Sequence, residues 1–212
     1  MTNVLVVKAN NRPDGVSTKM YETFMAEVAK VEGLNVSTFD VFEENLAYFG
    51  QELFNAFGKM QNGEALTDLE QASIESFNKS REALTAAEVV VFAFPLWNQT
   101  IPAALQSFID YTYGAGYSFK YDENGQLVSL MTDKKYVVLN ARGGIYSNPQ
   151  MAPLEMAVNY INNVIGGVYG MEKVAEVVIE GHNANQTEAA NIIAAGLEQV
   201  KDVAQKLATV TA

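Results

Sequence analysis

The sequence predicts an α/β protein on a doubly wound parallel sheet of five strands. Three observations point there. Apolar runs without alternation recur at 4–7 and 89–94, the pattern of strands buried on both faces. Between the strand-like runs, apolar residues return at helical spacing. The two kinds of segment alternate along one chain, which favours crossover connections and a parallel sheet.

In chain order, the first strand is expected at 3–9 and a helix at 17–31, with Met20, Phe24, Val28 and Val31 on one face. Residues 34–39 alternate like a half-exposed second strand. Residues 43–66 hold Phe, Tyr, Asn and Gly without a clear period and read as a long, partly helical excursion. Thr67 and Glu70 form a capping-box pattern for a helix over 68–86. The third strand, 88–94, ends at Pro95, and a helix begins near Ile101 with Leu105, Phe108 and Ile109 on one face. Residues 117–131 break the alternation: Asn124-Gly125 between two short β-prone runs signals a hairpin. A fourth strand follows at 135–141, then a helix over 151–165 with Leu154, Val158, Ile161 and Ile165 inward. A fifth strand spans 173–180, and Asn185 to Glu188 could cap the last helix. One domain over 1–212 is expected, without repeats or linkers.

The chain has 212 residues and a net charge of −11, which opposes nucleic acid and anionic membrane surfaces as partners. It has no cysteine, so thiolate, disulfide and iron–sulfur chemistry are excluded. Its single histidine, His182, is too little imidazole for ordinary zinc or iron sites and reads as a loop residue. No signal peptide and no apolar run of roughly 20 residues is present, so a cytoplasmic protein is expected.

Three loops carry the chemistry. After strand one, Gly15, Ser17, Thr18 and Lys19 stand at a helix start, either as a phosphate site or with Ser17 as a plain N-cap. After strand three comes Pro95-Leu-Trp-Asn-Gln-Thr-Ile-Pro102, where Trp97 is either a core aromatic or a ligand wall flanked by amides. After strand four comes Asn140-Ala-Arg-Gly-Gly-Ile-Tyr146, whose two glycines permit either a tight turn or close backbone approach to a ligand. In a sheet of order 2-1-3-4-5 these loops line one crevice at the switch point. No nucleophile–base pair accompanies them, so a bound cofactor would carry the reaction. A phosphate end by strand one and an aromatic-amide wall beyond it suit FMN.

These residues also carry a resemblance. Pro95 to Pro102 with Phe108-Ile-Asp110 resembles the Pro-Met-Trp-Asn segment of FMN-dependent NADH:azoreductases and their quinone-reductase relatives. Ser118-Phe-Lys-Tyr-Asp-Glu-Asn-Gly125 resembles that family's Thr-Phe-x-Tyr-x-x-x-Gly hairpin, and Ala141-Arg-Gly-Gly144 its Ser-Arg-Gly-Gly loop. Gly15-Val-Ser17 stands where the family often has Ser-x-Ser. The resemblance spans essentially the whole chain and implies a flavodoxin-like fold with an inserted hairpin. It implies that Ser17, Thr18 and Lys19 hold the FMN phosphate and that Leu96, Trp97, Asn98 and Gln99 lie along the ring. Ala141, Arg142, Gly143 and Gly144 would meet the pyrimidine edge, with Tyr121 and Tyr146 on the substrate side. It further implies a homodimer that passes two electrons from NADH, by a ping-pong route, to quinones and azo compounds. A non-enzymatic flavodoxin-type carrier, whose acidity would suit a basic redox partner, is the rival reading; a flavin-free hydrolase is a second.

Overall fold

The computed structural model describes residues 1–210. Five parallel strands form the sheet: β1 (Thr2–Lys8), β2 (Leu34–Asp40), β3 (Val89–Pro95), β6 (Lys135–Arg142) and β7 (Glu172–Glu180). Their spatial order is β2-β1-β3-β6-β7, which is the expected 2-1-3-4-5 once the hairpin strands β4 (Phe119–Tyr121) and β5 (Leu127–Ser129) are set aside. All seven residues of β3 are buried, because that strand is central and covered on both faces.

Each face has its own core. On one, Met20, Phe24 and Val28 of α1 (Val16–Val28) and Val200, Ala204 and Leu207 of α6 (Ala189–Val210) pack on Val6, Val91 and Leu139. On the other, Leu84 of α3 (Asp68–Ala86) and Leu105, Phe108 and Ile109 of α4 (Ala103–Thr112) pack on Val90, Phe92 and Val138. Burying each of the larger side chains stabilises the fold by about 1.5–3 kcal/mol before entropy is counted. The irregular excursion contains α2 (Gln51–Asn62), pinned by a satellite core of Leu53, Ala56, Ile74 and Tyr111.

Several local expectations are met. The Thr67 hydroxyl accepts the Glu70 N–H while Glu70 accepts the Thr67 N–H, completing the capping box. The hairpin closes through Asp122, whose Oδ1 accepts the Asn124 and Gln126 N–H groups, both at 2.8 Å, with Gly125 at φ 74°.

Others are corrected. The single helix expected over 151–165 is three pieces: a 3₁₀ turn at Ala152–Leu154, α5 (Val158–Ile161), and a π-helical turn at Asn162–Val168. The first piece ends where Glu155 turns to extended backbone. Glu155 then turns its carboxylate onto the N–H groups of Ala157, Val158 and Asn159 at 2.9–3.1 Å and starts the chain again. Leu154, expected inward, is exposed. In the widened turn, the Tyr136 hydroxyl donates to Asn162 at 2.9 Å and lies 2.8 Å from where a Cβ on Gly166 would be. The last helix starts at Ala189, and the Asn185 side chain accepts the Thr187 hydroxyl instead of capping it.

Candidate active site

The first wall is the start of α1. The N-cap is Gly15, not Ser17, and no side chain caps it. Gly15 accepts the Lys19 N–H, so the N–H groups of Val16, Ser17 and Thr18 are left without an intrahelical partner and face the positive end of the helix dipole. Ser17 is buried in that first turn. The Thr18 hydroxyl bridges Asn10 Oδ1 at 2.7 Å and the Arg12 carbonyl at 2.6 Å, so it braces the loop. Lys19 is exposed on the helix.

The second wall follows β3. Trp97 and Thr100 exchange both backbone hydrogen bonds at 3.0 Å, with Asn98 at φ 51° and Gln99 at φ 70° between them. Two adjacent left-handed central residues make a primed hairpin turn, tolerable for Asn and less so for Gln. Such backbone persists where its surroundings over-determine it, and functional sites are where it collects. Here the Leu96 N–H donates to the Ala141 carbonyl at 2.9 Å and the Met156 N–H to the Gln99 carbonyl at 2.9 Å. Trp97 is partly buried against Phe42, ring centres 6.2 Å apart.

The third wall joins the loops after β6 and β7. The Asn183 and Ala184 N–H groups both donate to the Gly143 carbonyl at 3.1 Å. A Cβ on Gly143 would meet the exposed Asn183 side chain, 2.8 Å from its Cγ, so any larger residue must displace that side chain. Arg142 is anchored, with Nε 2.9 Å from Glu180 and Nη1 3.5 Å from Glu155 and only 10% of its side chain exposed. Glu180 also accepts the Tyr146 N–H at 2.9 Å. Burial alone would raise the Glu180 pKa, but hydrogen bonds from Ser147 and the Tyr146 amide, with the Arg142 charge, hold it below the usual carboxylate range.

These walls enclose a crevice of about 180 Å³ at the carboxyl edge of the sheet. Of the residues expected there, Ser17, Leu96, Trp97, Ala141 and Gly143 line it together. Thr18 and Arg142 are committed to neighbouring side chains and backbone, Asn98 and Gln99 form the turn beside it, and Gly144 sits under the Tyr146 ring. Tyr121 is 62% exposed on the hairpin, its ring 5.7 Å from Phe119, and is not among the lining residues. Asn10, Arg12, Pro95, His182 and Asn183 also line the crevice. His182, expected as a plain loop residue, is thus on the wall, and burial lowers its pKa below the ordinary histidine value.

Uncapped N–H groups beside a hydroxyl at one end and a partly buried indole with a closely approached glycine at the other fit an elongated, flat ligand bearing an anion. FMN meets that description. Among the described residues, none group as a metal site and no helix is long and apolar enough to cross a membrane.

Comparison with known proteins agrees. Residues 2–204 match a family described as having a flavodoxin-like fold. A Brevibacillus brevis FMN-dependent NADH:quinone oxidoreductase is 43% identical over 208 residues, covering 97% of this chain and 99% of that protein. FMN-dependent NADH:quinone oxidoreductase 1 of Bacillus subtilis is 42% identical over 209 residues, covering 97% and 100%. The crystal structure of an azoreductase from Bacillus anthracis superposes with a TM-score of 0.87 at 44% identity, covering 97% of this chain and all of that one. The chain belongs to the flavodoxin-like family, among its FMN-dependent NADH:quinone oxidoreductases.

Proposed function

We propose that this protein binds FMN in the crevice and transfers electrons from NADH two at a time, one round reducing a quinone and two rounds cleaving an azo bond to two amines. The observation that carries the reading is the crevice itself: an uncapped helix start with Ser17 faces a wall of Leu96, Trp97 and Gly143. Near-full-length identity of 42–43% to named quinone oxidoreductases supports an enzyme over a flavodoxin-type carrier.

The uncapped N–H groups of α1 and the Ser17 hydroxyl would bind the phosphate; Thr18 would serve through its backbone and Lys19 through its charge alone. Leu96 and Trp97 would flank the ring, with Asn98 and Gln99 holding the turn rigid. The Gly143 and Gly144 N–H groups, which donate to no protein acceptor among the described residues, would bind the pyrimidine edge with Ala141 alongside. Such donors stabilise negative charge that develops during reaction, each by about 3 kcal/mol in comparable sites. When bound, FMN would supply the redox chemistry that links NADH to the acceptor. Arg142 acts at one remove: held by Glu155 and Glu180, it fixes the loop that presents the glycines.

We propose further that the protein is a cytoplasmic homodimer of single-domain chains. A mostly apolar groove of Phe49, Ile109, Tyr113, Tyr160 and Val164, with Asp110 on its wall, offers a surface for the second copy; Tyr113 stacks on Phe119 and Phe119 on exposed Tyr121, and this is how Tyr121 would reach a flavin. The net charge of −11 disfavours nucleic acid and anionic membranes.

The test is an absorption spectrum of the purified protein under nitrogen, before and after NADH. A flavin band that bleaches at once, and returns when a quinone or azo dye is added, is expected. A colourless protein that FMN cannot reconstitute refutes the reading.

A further inference from the structure

Trp97 is the largest apolar side chain of the crevice lining and the chain's single tryptophan. Its backbone is fixed, because it exchanges both hydrogen bonds with Thr100 at 3.0 Å. Its side chain has no such anchor. The indole is only partly buried, and its N–H donates to no protein acceptor among the described residues. One ring among the described residues lies within stacking range of it, that of Phe42, with centres 6.2 Å apart and planes at 57°. Phe42 does not itself line the crevice, so it backs the indole from outside the lining.

Phe42 is a well-fastened support. Its N–H donates to Asp40 Oδ1 at 3.0 Å, and Asp40 Oδ2 accepts Lys8 Nζ at 2.5 Å. The Val41 N–H donates to the Lys8 carbonyl at 3.1 Å, and the Glu43 and Glu44 N–H groups both donate to the Asp40 carbonyl at 3.0 Å. The turn after β2 is thus tied to itself and to the last residue of β1. Phe42 also packs on the core that holds Phe39, Val41 and Phe94. A ring held this way has little freedom left to lose when it meets the indole. An unsupported indole would instead have to be ordered by each incoming ligand, and that ordering lowers affinity.

We propose that Phe42 is a positioning residue of the crevice, holding the Trp97 indole in the pose in which it forms a wall for a flat ligand. This rests on the FMN reading above and extends the flavin's support to a turn, after β2, that the crevice lining does not include.

Because Trp97 is the single tryptophan, red-edge excitation that spares tyrosine reports on it alone. Time-resolved anisotropy of the full-length, flavin-free protein reads the motion of the indole, and titration with FMN reads affinity. Phe42→Leu keeps apolar bulk on the core and removes the ring. It should increase the indole's nanosecond motion and weaken FMN binding about three- to tenfold, the range expected for one lost aromatic pair. Phe42→Tyr, which keeps the ring, should retain wild-type motion and affinity. In a Trp97→Leu background, Phe42→Leu should cost no further affinity, because the two side chains act as a unit. Unchanged indole motion in Phe42→Leu, wild-type FMN affinity in that variant, losses as large in Phe42→Tyr, or the same loss in the Trp97→Leu background each overturn the proposal. A wild-type protein that binds no FMN sinks the FMN reading instead. The anisotropy of the flavin-free variants then decides on its own: motion raised by leucine and not by tyrosine supports Phe42 as the indole's support, and any other pattern refutes it.

Discussion

Replacing Gly143 with alanine tests the third wall most directly. The new methyl would stand 2.8 Å from Asn183 Cγ, 3.0 Å from its Cβ, and closer still to Nδ2. Asn183 cannot withdraw as a whole, because its N–H and that of Ala184 are both bonded to the Gly143 carbonyl. Its exposed side chain must therefore swing aside. Overpacking of this kind costs about 1–3 kcal/mol, and a side chain free to rotate places the loss near the lower end, about 1 kcal/mol. Since Asn183 lines the crevice, its displacement should also weaken FMN binding by about tenfold, or 1.4 kcal/mol. Thermal melting reads the first loss and fluorescence titration of the flavin-free protein the second. The contact itself is isolated by a double-mutant cycle with Asn183→Ala, which leaves only the 3.0 Å contact. The double variant should recover about half of both losses. Wild-type melting and affinity in Gly143→Ala, or strictly additive effects, would show that the close approach is not what requires the glycine.

Gly144→Ala should be milder than Gly143→Ala in both assays, because its methyl meets only the edge of the Tyr146 ring, at 3.1 Å. Glu155→Gln keeps the side chain's shape but removes a charge that accepts three backbone N–H groups and faces Arg142 in a pair 90% or more buried. A loss of about 2–4 kcal/mol in urea denaturation is expected. The lowered Glu180 pKa makes a signed prediction: its contribution is fully present above the unfolded carboxylate value near about 4.3 and is lost as pH falls through the lower folded value. Melting temperatures between pH 6 and pH 3 should therefore fall less steeply in Glu180→Gln, and an unchanged slope would contradict that assignment.

The elements with a local cause were legible from sequence. β3 announces itself because both its faces are buried, so every residue in 89–94 is apolar. The Thr67–Glu70 box is a contact between residues three apart. The loops after β1, β3 and β6 could be placed because strand order alone brings them to one edge. What escaped was set by contacts between distant segments. His182 and Asn183 reach the crevice because the loop after β7 is bonded to Gly143, about forty residues earlier, and no periodicity records that. By itself Arg142 reads as a surface cation, and only the resemblance sets it beside the pyrimidine edge; the ion pairs with Glu155 and Glu180 appear only in the fold. The broken segment over 152–168 has apolar spacing fit for one helix; the extended backbone and capping carboxylate of Glu155 override it.

The bond from Met156 to the Gln99 carbonyl has a mechanical consequence. It fastens the left-handed turn after β3 to the segment that Glu155 ties to Arg142, while Leu96 is fastened to Ala141 on the same side. The loops after β3 and β6 are therefore one stiff jaw, whereas the start of α1 is braced separately through Thr18, Asn10 and Arg12. Such a jaw has its conformational entropy removed when the chain folds, so little ordering is left to oppose each arrival of a donor or an acceptor. The proposed turnover, in which one flat molecule is admitted and released before another of different shape, gains more from a rigid doorway than from one that must re-form each time.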